Sequence, residues 1–156
     1  MLSNACKYAI RSILYLAINS NESKKIGVKT IAEELETPQP FLAKLLQKLS
    51  RDKLVSSTKG PNGGFYLTQK NKNFSIWDVV KSIDGTSKFD KCFLGLKKCN
   101  DKNPCPVHFL AAPFRQSILS DFQDKTIEEY VANIKNTSQV ISLKDLNVLE
   151  EDNFKL

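Results

Sequence analysis

The stretch TPQPFLAKLLQKLSRDKLVSSTKGPNGGFYLT, residues 37–68, decides the fold of this 156-residue chain. Its first half repeats leucine at the spacing of one helix face, at Leu42, Leu45, Leu46 and Leu49. Thr37 can cap the exposed amides, and Pro38 suits the first helical position because its missing N–H costs nothing there. The pattern predicts a helix from Thr37 to about Asp52.

The outward side of this helix carries Lys, Arg, Gln and Ala and no acid. A shorter apolar repeat over residues 28–35 precedes it and predicts a helix of about two turns. Two short helices joined by a tight turn, the second basic outside, are typical of a helix-turn-helix, whose second helix enters the DNA major groove. We expect five of its side chains to face DNA: Gln39, Ala43, Lys44, Gln47 and Lys48.

The second half of the stretch predicts a β-hairpin behind that helix. Residues 54–58 and 65–68 are strand-like, and the turn between them is rich in glycine and begins with a cation. Such a wing can lie along the DNA backbone or enter a minor groove. Its predicted tip consists of Lys59, Gly60, Pro61 and Asn62.

Charge is distributed unevenly along the chain. The formal net charge is +6, and residues 1–72 hold 12 Lys and Arg against 5 Asp and Glu. Residues 73–156 hold 11 against 12, so the whole positive excess lies in the first half. Such a concentration favours a polyanionic partner, although basic solvated faces are common.

Helical periodicity flanks the helix-turn-helix on both sides. It predicts helices over Ser3–Asn19, with Ser3 as cap, and over Ser75–Ile83, with Ser75 as cap and Asp78 three residues later. Another runs from His108 to Phe122, interrupted or kinked by Pro113, and a further one begins at Thr126. The fold class is therefore mainly α with a small β-hairpin wing: a winged helix-turn-helix with a long C-terminal helix.

Three of the four cysteines, Cys92, Cys99 and Cys105, lie in the long loop of residues 85–107, and the only histidine, His108, follows. Three thiolates and an imidazole suit zinc or an iron–sulfur cluster. The wide spacings favour an iron–sulfur cluster, which is larger than a single zinc ion. Reactive thiols that form a disulfide are an alternative, and His108 could merely cap the next helix. Cys6 lies on the apolar face of the first helix and is expected to pack in the core.

Several function classes are disfavoured. No run of 18 apolar residues exists, so no membrane partner is expected and the protein should be cytoplasmic. No nucleophile–base pair or phosphate-binding loop is recognisable, so neither an enzyme nor a small-molecule substrate is expected. A zinc- or thiol-based regulator, or an adaptor that binds a protein through the same basic face, remains the alternative.

The order of these motifs resembles the Rrf2 family of bacterial winged-helix transcription regulators, whose members include iron–sulfur and nitric-oxide sensors. Similarity runs from about residue 1 to residue 131. It is carried by KYAIR at residues 7–11, IAE at 31–33, FLAKLL at 41–46, LVSSTKGPNGGF at 54–65 and the three cysteines.

The resemblance implies a homodimer that binds palindromic operator DNA as a repressor, with an operator affinity controlled by the iron–sulfur cluster. It makes Phe109–Phe122 the dimer helix and makes Cys92, Cys99, Cys105 and His108 the cluster ligands. In the nitric-oxide branch an acid of the first helix is the fourth ligand, but Lys7 stands at that position here. The resemblance thus favours a histidine-ligated [2Fe-2S] cluster over [4Fe-4S].

These expectations divide the chain into four parts. They are a DNA-binding domain (1–84), a cluster-binding loop (85–107), a dimerisation helix with the helix that follows it (108–143), and a tail (144–156).

Overall fold

Seven α-helices and one β-hairpin make up the described part of the chain, residues 2–97, 99–136 and 143 of a computed structural model. The helices are α1 (Asn4–Asn19), α2 (Val28–Glu34), α3 (Gln39–Arg51), α4 (Gln69–Lys72), α5 (Ile76–Ile83), α6 (His108–Asp124) and α7 (Ile127–Asn136). Strands β1 (Ser56–Thr58) and β2 (Gly64–Tyr66) form the hairpin, and a short 3-10 turn spans Ser87–Phe89. The prediction of a mainly helical chain with a hairpin wing is confirmed.

Side-chain caps begin α1 and α5 as predicted. The Ser3 hydroxyl accepts the backbone N–H of Cys6 at 3.1 Å. Ser75 and Asp78 form a reciprocal capping box, in which each side chain accepts the other residue's backbone N–H. Both helices therefore start where the sequence placed them.

The predicted start of α3 is wrong by one residue, since the cap is Pro38 and not Thr37. Thr37 is buried and its hydroxyl donates to the carbonyl of Leu35 at 3.0 Å, so it does not cap the helix. Pro38 is the N-cap residue, and its carbonyl accepts the first helical bond, from Leu42. Pro40 then occupies the first turn, where a missing N–H leaves no bond unmade.

The core lies where α1 packs against α3, α5 and α7, and α2 packs against α3. The leucine face of α3 is fully buried or nearly so, as its spacing predicts. Ile13 and Leu16 of α1, Ile31 of α2, Val79 of α5 and Ile127 of α7 complete the centre of this core. Burying this apolar surface holds the helix-turn-helix rigid, so that the polar side of α3 remains outside.

Backbone pairing attaches the wing to the helical body. Ser56 pairs with Tyr66 and Thr58 with Gly64 in the antiparallel hairpin. Phe65 exchanges two 2.9 Å hydrogen bonds with Ile26, which lies just before α2. A Cβ on Gly64 would come within 2.7 Å of the Ile26 carbonyl oxygen, so this approach requires glycine.

The C-terminal part of the described chain packs against α1. The helix α6 continues across Pro113, and α7 follows after a capping box between Thr126 and Glu129. The Arg11 guanidinium on α1 donates to the carbonyls of Leu35 and Leu143. The predicted tail, residues 144–156, lies outside the described residues, and no helix within the described ranges could span a membrane.

Candidate nucleic-acid interface and cysteine site

The outer side of α3 is polar and accessible. Gln39, Lys44 and Gln47 are exposed, whereas Ala43 and Lys48 are partly covered. Lys48 Nζ lies 3.5 Å from a carboxylate oxygen of Asp52, one helical turn further on. None of the five predicted side chains is therefore buried, and the charge of Lys48 is partly offset by Asp52.

The wing tip places a cation beside that face. Lys59, Gly60, Pro61 and Asn62 are all exposed at the turn of the hairpin. Gly60 has φ of +105°, a conformation that glycine adopts without strain. We call the outer side of α3 together with this tip the DNA-facing surface, after the DNA contacts that the sequence predicts for it.

A groove of about 490 Å³ separates α3 from the wing. Its α3 wall includes Gln47 and Arg51, and its wing wall includes Thr58 and Lys59. The hydroxyls of Ser50 and Ser57 share a 2.8 Å hydrogen bond across it. Arg51 and Lys59 thus line the same groove, whose two walls are connected by the serine pair.

Asn71, on the unpredicted helix α4, anchors the base of the wing. Its side-chain oxygen accepts hydrogen bonds from the Ser56 hydroxyl and from the backbone N–H of Thr68, both at 2.8 Å. Its amide donates to the carbonyl of Lys53, at the end of the turn after α3, at 2.9 Å. One buried side chain therefore connects the turn after α3, strand β1 and the segment after β2.

The cysteine loop, residues 85–107, is fixed at its start. Asp84 accepts the backbone N–H of Ser3 at 2.8 Å as well as the Ser3 hydroxyl, and pairs with Lys88 at 3.3 Å. Phe89 is buried with its ring 4.9 Å from that of Trp77. The loop thus leaves the helical body from a rigid point beside the start of α1.

The loop's three cysteines and His108 lie in two pairs. Cys99 Sγ is 3.2 Å from His108 Nδ1, and Cys92 and Cys105 interact so that each shifts the pKa of the other. The four thiols of the chain are free cysteines. Within the described residues no three His, Cys, Asp or Glu side chains form a group able to hold a metal ion.

Hydrogen bonds and burial set the acidities of the paired thiols. The backbone N–H of Leu94, and then the Cys105 thiol, lower the pKa of Cys92 against the opposing effect of burial. Burial and then the interaction with Cys92 raise the pKa of Cys105. Cys92 is therefore the member of this pair that ionises first, which is the form that binds a metal or reacts with an oxidant.

Cys6 is a core residue, as its position predicts. Its side chain is fully buried, and burial, with a smaller contribution from the charge of Asp84, raises its pKa to about 12. Such a thiol is inert as a ligand or nucleophile.

Large apolar side chains remain exposed near the cysteine site. Phe109, Leu110 and Phe114 on α6 are 77%, 79% and 60% exposed. Phe93, Leu94 and Leu96 of the loop are exposed as well. A patch of this kind on a single chain indicates a surface that another molecule covers.

Sequence reasoning missed the residues that support these sites. Asn71 lies in a polar stretch without periodicity, although the Thr-x-x-Asn spacing at residues 68–71 is a capping signal. Ser50 and Ser57 interact across two elements and leave no local pattern. Asp101, whose Oδ1 lies 2.8 Å from His108 Nε2, is in the aperiodic loop.

The fold and the basic surface together define a winged helix-turn-helix DNA-binding protein. The family described as Rrf2, iron-dependent transcriptional regulator, matches residues 2–133. The chain belongs to this family and is a transcriptional regulator, not an enzyme.

Individual relatives agree. An HTH-type transcriptional regulator of Aquifex aeolicus (strain VF5) is 34% identical over 133 residues, which cover 84% of this chain and 91% of that relative. IscR of Klebsiella pneumoniae (strain 342) is 26% identical over 132 residues, 85% of this chain and 80% of that protein.

Solved structures share the fold. CymR of B. subtilis, described as its global cysteine regulator, superposes with a TM-score of 0.68 at 18% identity, over 85% of this chain and 97% of that one. IscR of T. potens gives a TM-score of 0.64 at 18% identity, over 90% and 93% of the two chains.

Proposed function

We propose that the protein is a dimeric, cytoplasmic repressor whose operator affinity depends on an iron–sulfur cluster held by Cys92, Cys99, Cys105 and His108. The observation that supports this best is the 3.2 Å contact between Cys99 Sγ and His108 Nδ1. It brings a thiol of the loop to the ring of the first residue of α6, although nine positions separate them.

The donor set fits such a group. Three thiols and one imidazole are ligands that iron–sulfur clusters use, and IscR is among the relatives. The resemblance gives an acid of the first helix as the alternative fourth ligand, but Lys7, at that position on α1, is exposed and has no carboxylate. The proposed cluster is therefore the histidine-ligated [2Fe-2S] form. When bound, it would supply a redox-active centre.

The loop's anchors explain how ligation would control DNA binding. Asp84 holds one end of the loop to α1, and His108 begins α6 at the other end. From α6, Arg115 Nη1 donates to the Lys91 carbonyl at 3.1 Å. Drawing the two thiol-containing pairs together would therefore fix α6 relative to the DNA-facing surface.

The exposed apolar side of α6 supports the proposed dimer. A second copy that covers Phe109, Leu110 and Phe114 would remove three large apolar side chains from water. In a two-fold dimer the separation of the two α3 helices must match the half-site spacing of about 34 Å. The position of α6 would then decide operator affinity.

The assignment of residues to DNA contacts is part of the same proposal. Phosphate and base contacts are assigned to the DNA-facing surface: Gln39, Ala43, Lys44, Gln47, Lys48, Lys59, Gly60, Pro61 and Asn62. The functional division is a DNA-binding domain (1–84), a cluster-binding loop (85–107) and a dimerisation region (108–143).

The first experiment determines the cofactor. Wild-type, Cys99→Ala and Cys6→Ala proteins are purified without oxygen, and their absorption spectra and iron, sulfide and zinc contents are measured. Wild type and Cys6→Ala should be brown with iron and sulfide near two per chain, and Cys99→Ala should be colourless. One zinc per chain, or no metal, in the wild type would contradict the cluster.

The second experiment determines the DNA dependence. Duplexes selected from a random library by the cluster-bound protein serve as probes for cluster-bound and cluster-free protein at equal concentration. Unequal affinity of the two forms is expected. Equal affinity would contradict control by the cluster, and no selected sequence at all would favour an adaptor that binds protein.

A thiol-based regulator without a cluster is the second candidate, and the interaction of Cys92 with Cys105, which lowers the pKa of Cys92 and raises that of Cys105, supports it. Among solved structures with the same fold is an oxidised form of Staphylococcus aureus CymR. Treating metal-free protein with a thiol oxidant, followed by peptide mass spectrometry, tests this candidate. A Cys92–Cys105 disulfide that changes DNA affinity would support it, and unchanged affinity would exclude it.

A further inference from the structure

His108 is the only histidine of the chain, and its ring is held on both sides. The side chain is 5% exposed at the first position of α6, with the Phe109 ring edge-on at 5.3 Å. Its backbone N–H donates to the carbonyl of Cys105 at 2.9 Å. The ring therefore has little freedom to move, and its two nitrogens have fixed and different surroundings.

Chemistry assigns a role to each nitrogen. Nε2 lies 2.8 Å from Asp101 Oδ1, and an ionised carboxylate can only accept a hydrogen bond. The proton of the neutral ring is therefore on Nε2. Nδ1, 3.2 Å from Cys99 Sγ, is left with its lone pair directed at the thiol.

Asp101 is well placed for orientation but poorly placed to stabilise the fold. Its side chain is 95% exposed, and an exposed ion pair or hydrogen bond contributes little to folding. The backbone next to it is ordered, because the Asn100 side chain accepts the N–H of Lys102 at 2.9 Å and closes a tight turn around Asp101. The turn fixes the position from which the carboxylate accepts the ring N–H.

We infer that Asp101 is a positioning residue that holds His108 in the Nε2–H tautomer and keeps Nδ1 directed at Cys99 as the nitrogen available to a metal. The role of Nδ1 as a metal ligand rests on the proposed function. The orientation of the His108 ring does not rest on it, because the ring has this orientation in the metal-free chain. Carboxylates that orient metal-binding imidazoles in this way commonly change metal affinity by about 10- to 100-fold when removed.

The first test uses nitrogen NMR on reduced, metal-free protein at one fixed pH. The single histidine gives one pair of ring signals, which report which nitrogen carries the proton. Wild type is expected to show Nε2–H, and Asp101→Ala a mixture of tautomers. Asp101→Asn retains an acceptor oxygen and should keep the Nε2–H form. Asp90→Ala removes a carboxylate from the same loop and is the matched control.

The NMR result can overturn the inference directly. A ring protonated on Nδ1 in the wild type, or on both nitrogens, contradicts it. An Asp101→Ala spectrum identical to that of the wild type contradicts it as well. Loss of the Nε2–H form in Asp101→Asn would exclude orientation by the hydrogen bond.

The second test measures iron release. Proteins loaded with iron and sulfide without oxygen are mixed with a chelator, and loss of the visible absorption is followed. Asp101→Ala should lose iron about 10- to 100-fold faster than the wild type, and Asp90→Ala at the wild-type rate. Equal rates for wild type and Asp101→Ala would refute a role in ligation.

The two tests separate the inference from the proposed function. If wild-type protein takes up no iron and sulfide, the cluster proposal fails, and the NMR spectrum still decides whether Asp101 orients His108. If the wild type loads normally but Asp101→Ala matches it in both tests, the role of Asp101 fails while the cluster proposal stands.

Discussion

Lys59, at the first position of the wing turn, provides a quantitative test of the DNA-facing surface. Four cations lie on the outer side of α3 and at the wing tip of each chain: Lys44, Lys48, Arg51 and Lys59. If each neutralises one phosphate, a dimer makes about eight contacts, and the logarithm of the association constant falls with the logarithm of salt at a slope of about −7. Between 50 and 200 mM salt, affinity then falls about 10⁴-fold.

Replacing Lys59 by alanine removes two of these contacts per dimer. The slope should change to about −5, and the loss of affinity over the same salt range should shrink to about 10³-fold. Fluorescence anisotropy with a selected duplex, measured at four salt concentrations, gives both slopes. Lys135→Ala, which removes an exposed cation from α7, should leave the slope unchanged.

Two results would refute this reasoning. A wild-type affinity independent of salt would mean that the basic surface does not contact phosphates. An unchanged slope in Lys59→Ala, with wild-type folding shown by circular dichroism, would mean that the wing tip lies away from the DNA.

Three further predictions concern the scaffold. Asn71→Ala removes the buried anchor of the wing and should cost about 2 kcal/mol, lowering the melting temperature by about 6 °C in calorimetry; an unchanged melting temperature would contradict the anchoring role. Because burial raises the pKa of Cys6 to about 12, iodoacetamide at pH 8 should leave Cys6 unmodified in folded protein but not in guanidinium, as peptide mass spectrometry would show. Burial opposes ionisation of Asp84, but the hydrogen bonds from Ser3 outweigh this effect and hold the pKa of Asp84 below its ordinary value. The ionised Asp84 therefore stabilises the fold above the ordinary pKa, and this stabilisation is lost as the pH falls through the lowered pKa. The melting-temperature advantage of wild type over Asp84→Asn should therefore disappear in acid, and an advantage that persists there would refute this assignment.

Most of the fold could be predicted from the sequence because it follows local periodicity. The leucine spacing of α3 predicts which side is buried, and Ser3 and Ser75 mark helix starts through caps within three residues. The capping role predicted for Thr37 is wrong because the prediction considered only the helix that follows this residue. In the structure its hydroxyl bonds backwards to Leu35, which places Pro38 at the cap.

The site was predictable only in part, since its ligand types are local but its geometry is not. The cysteine count and the nearby His108 indicate metal or thiol chemistry from the sequence alone. The pairing of Cys99 with His108 and of Cys92 with Cys105 depends on how the loop folds back. The same is true of Asp101, which becomes a partner of His108 only through that folding.

Pro113, in the second turn of α6, lowers the bending stiffness of that helix locally. Proline has no N–H, so the carbonyl of Phe109 lacks the bond that it would otherwise receive from four residues ahead. The lost bond makes the helix softer at this point than on either side of it. A rotation of the chain at His108 would therefore bend α6 near Pro113 before it turned the whole helix.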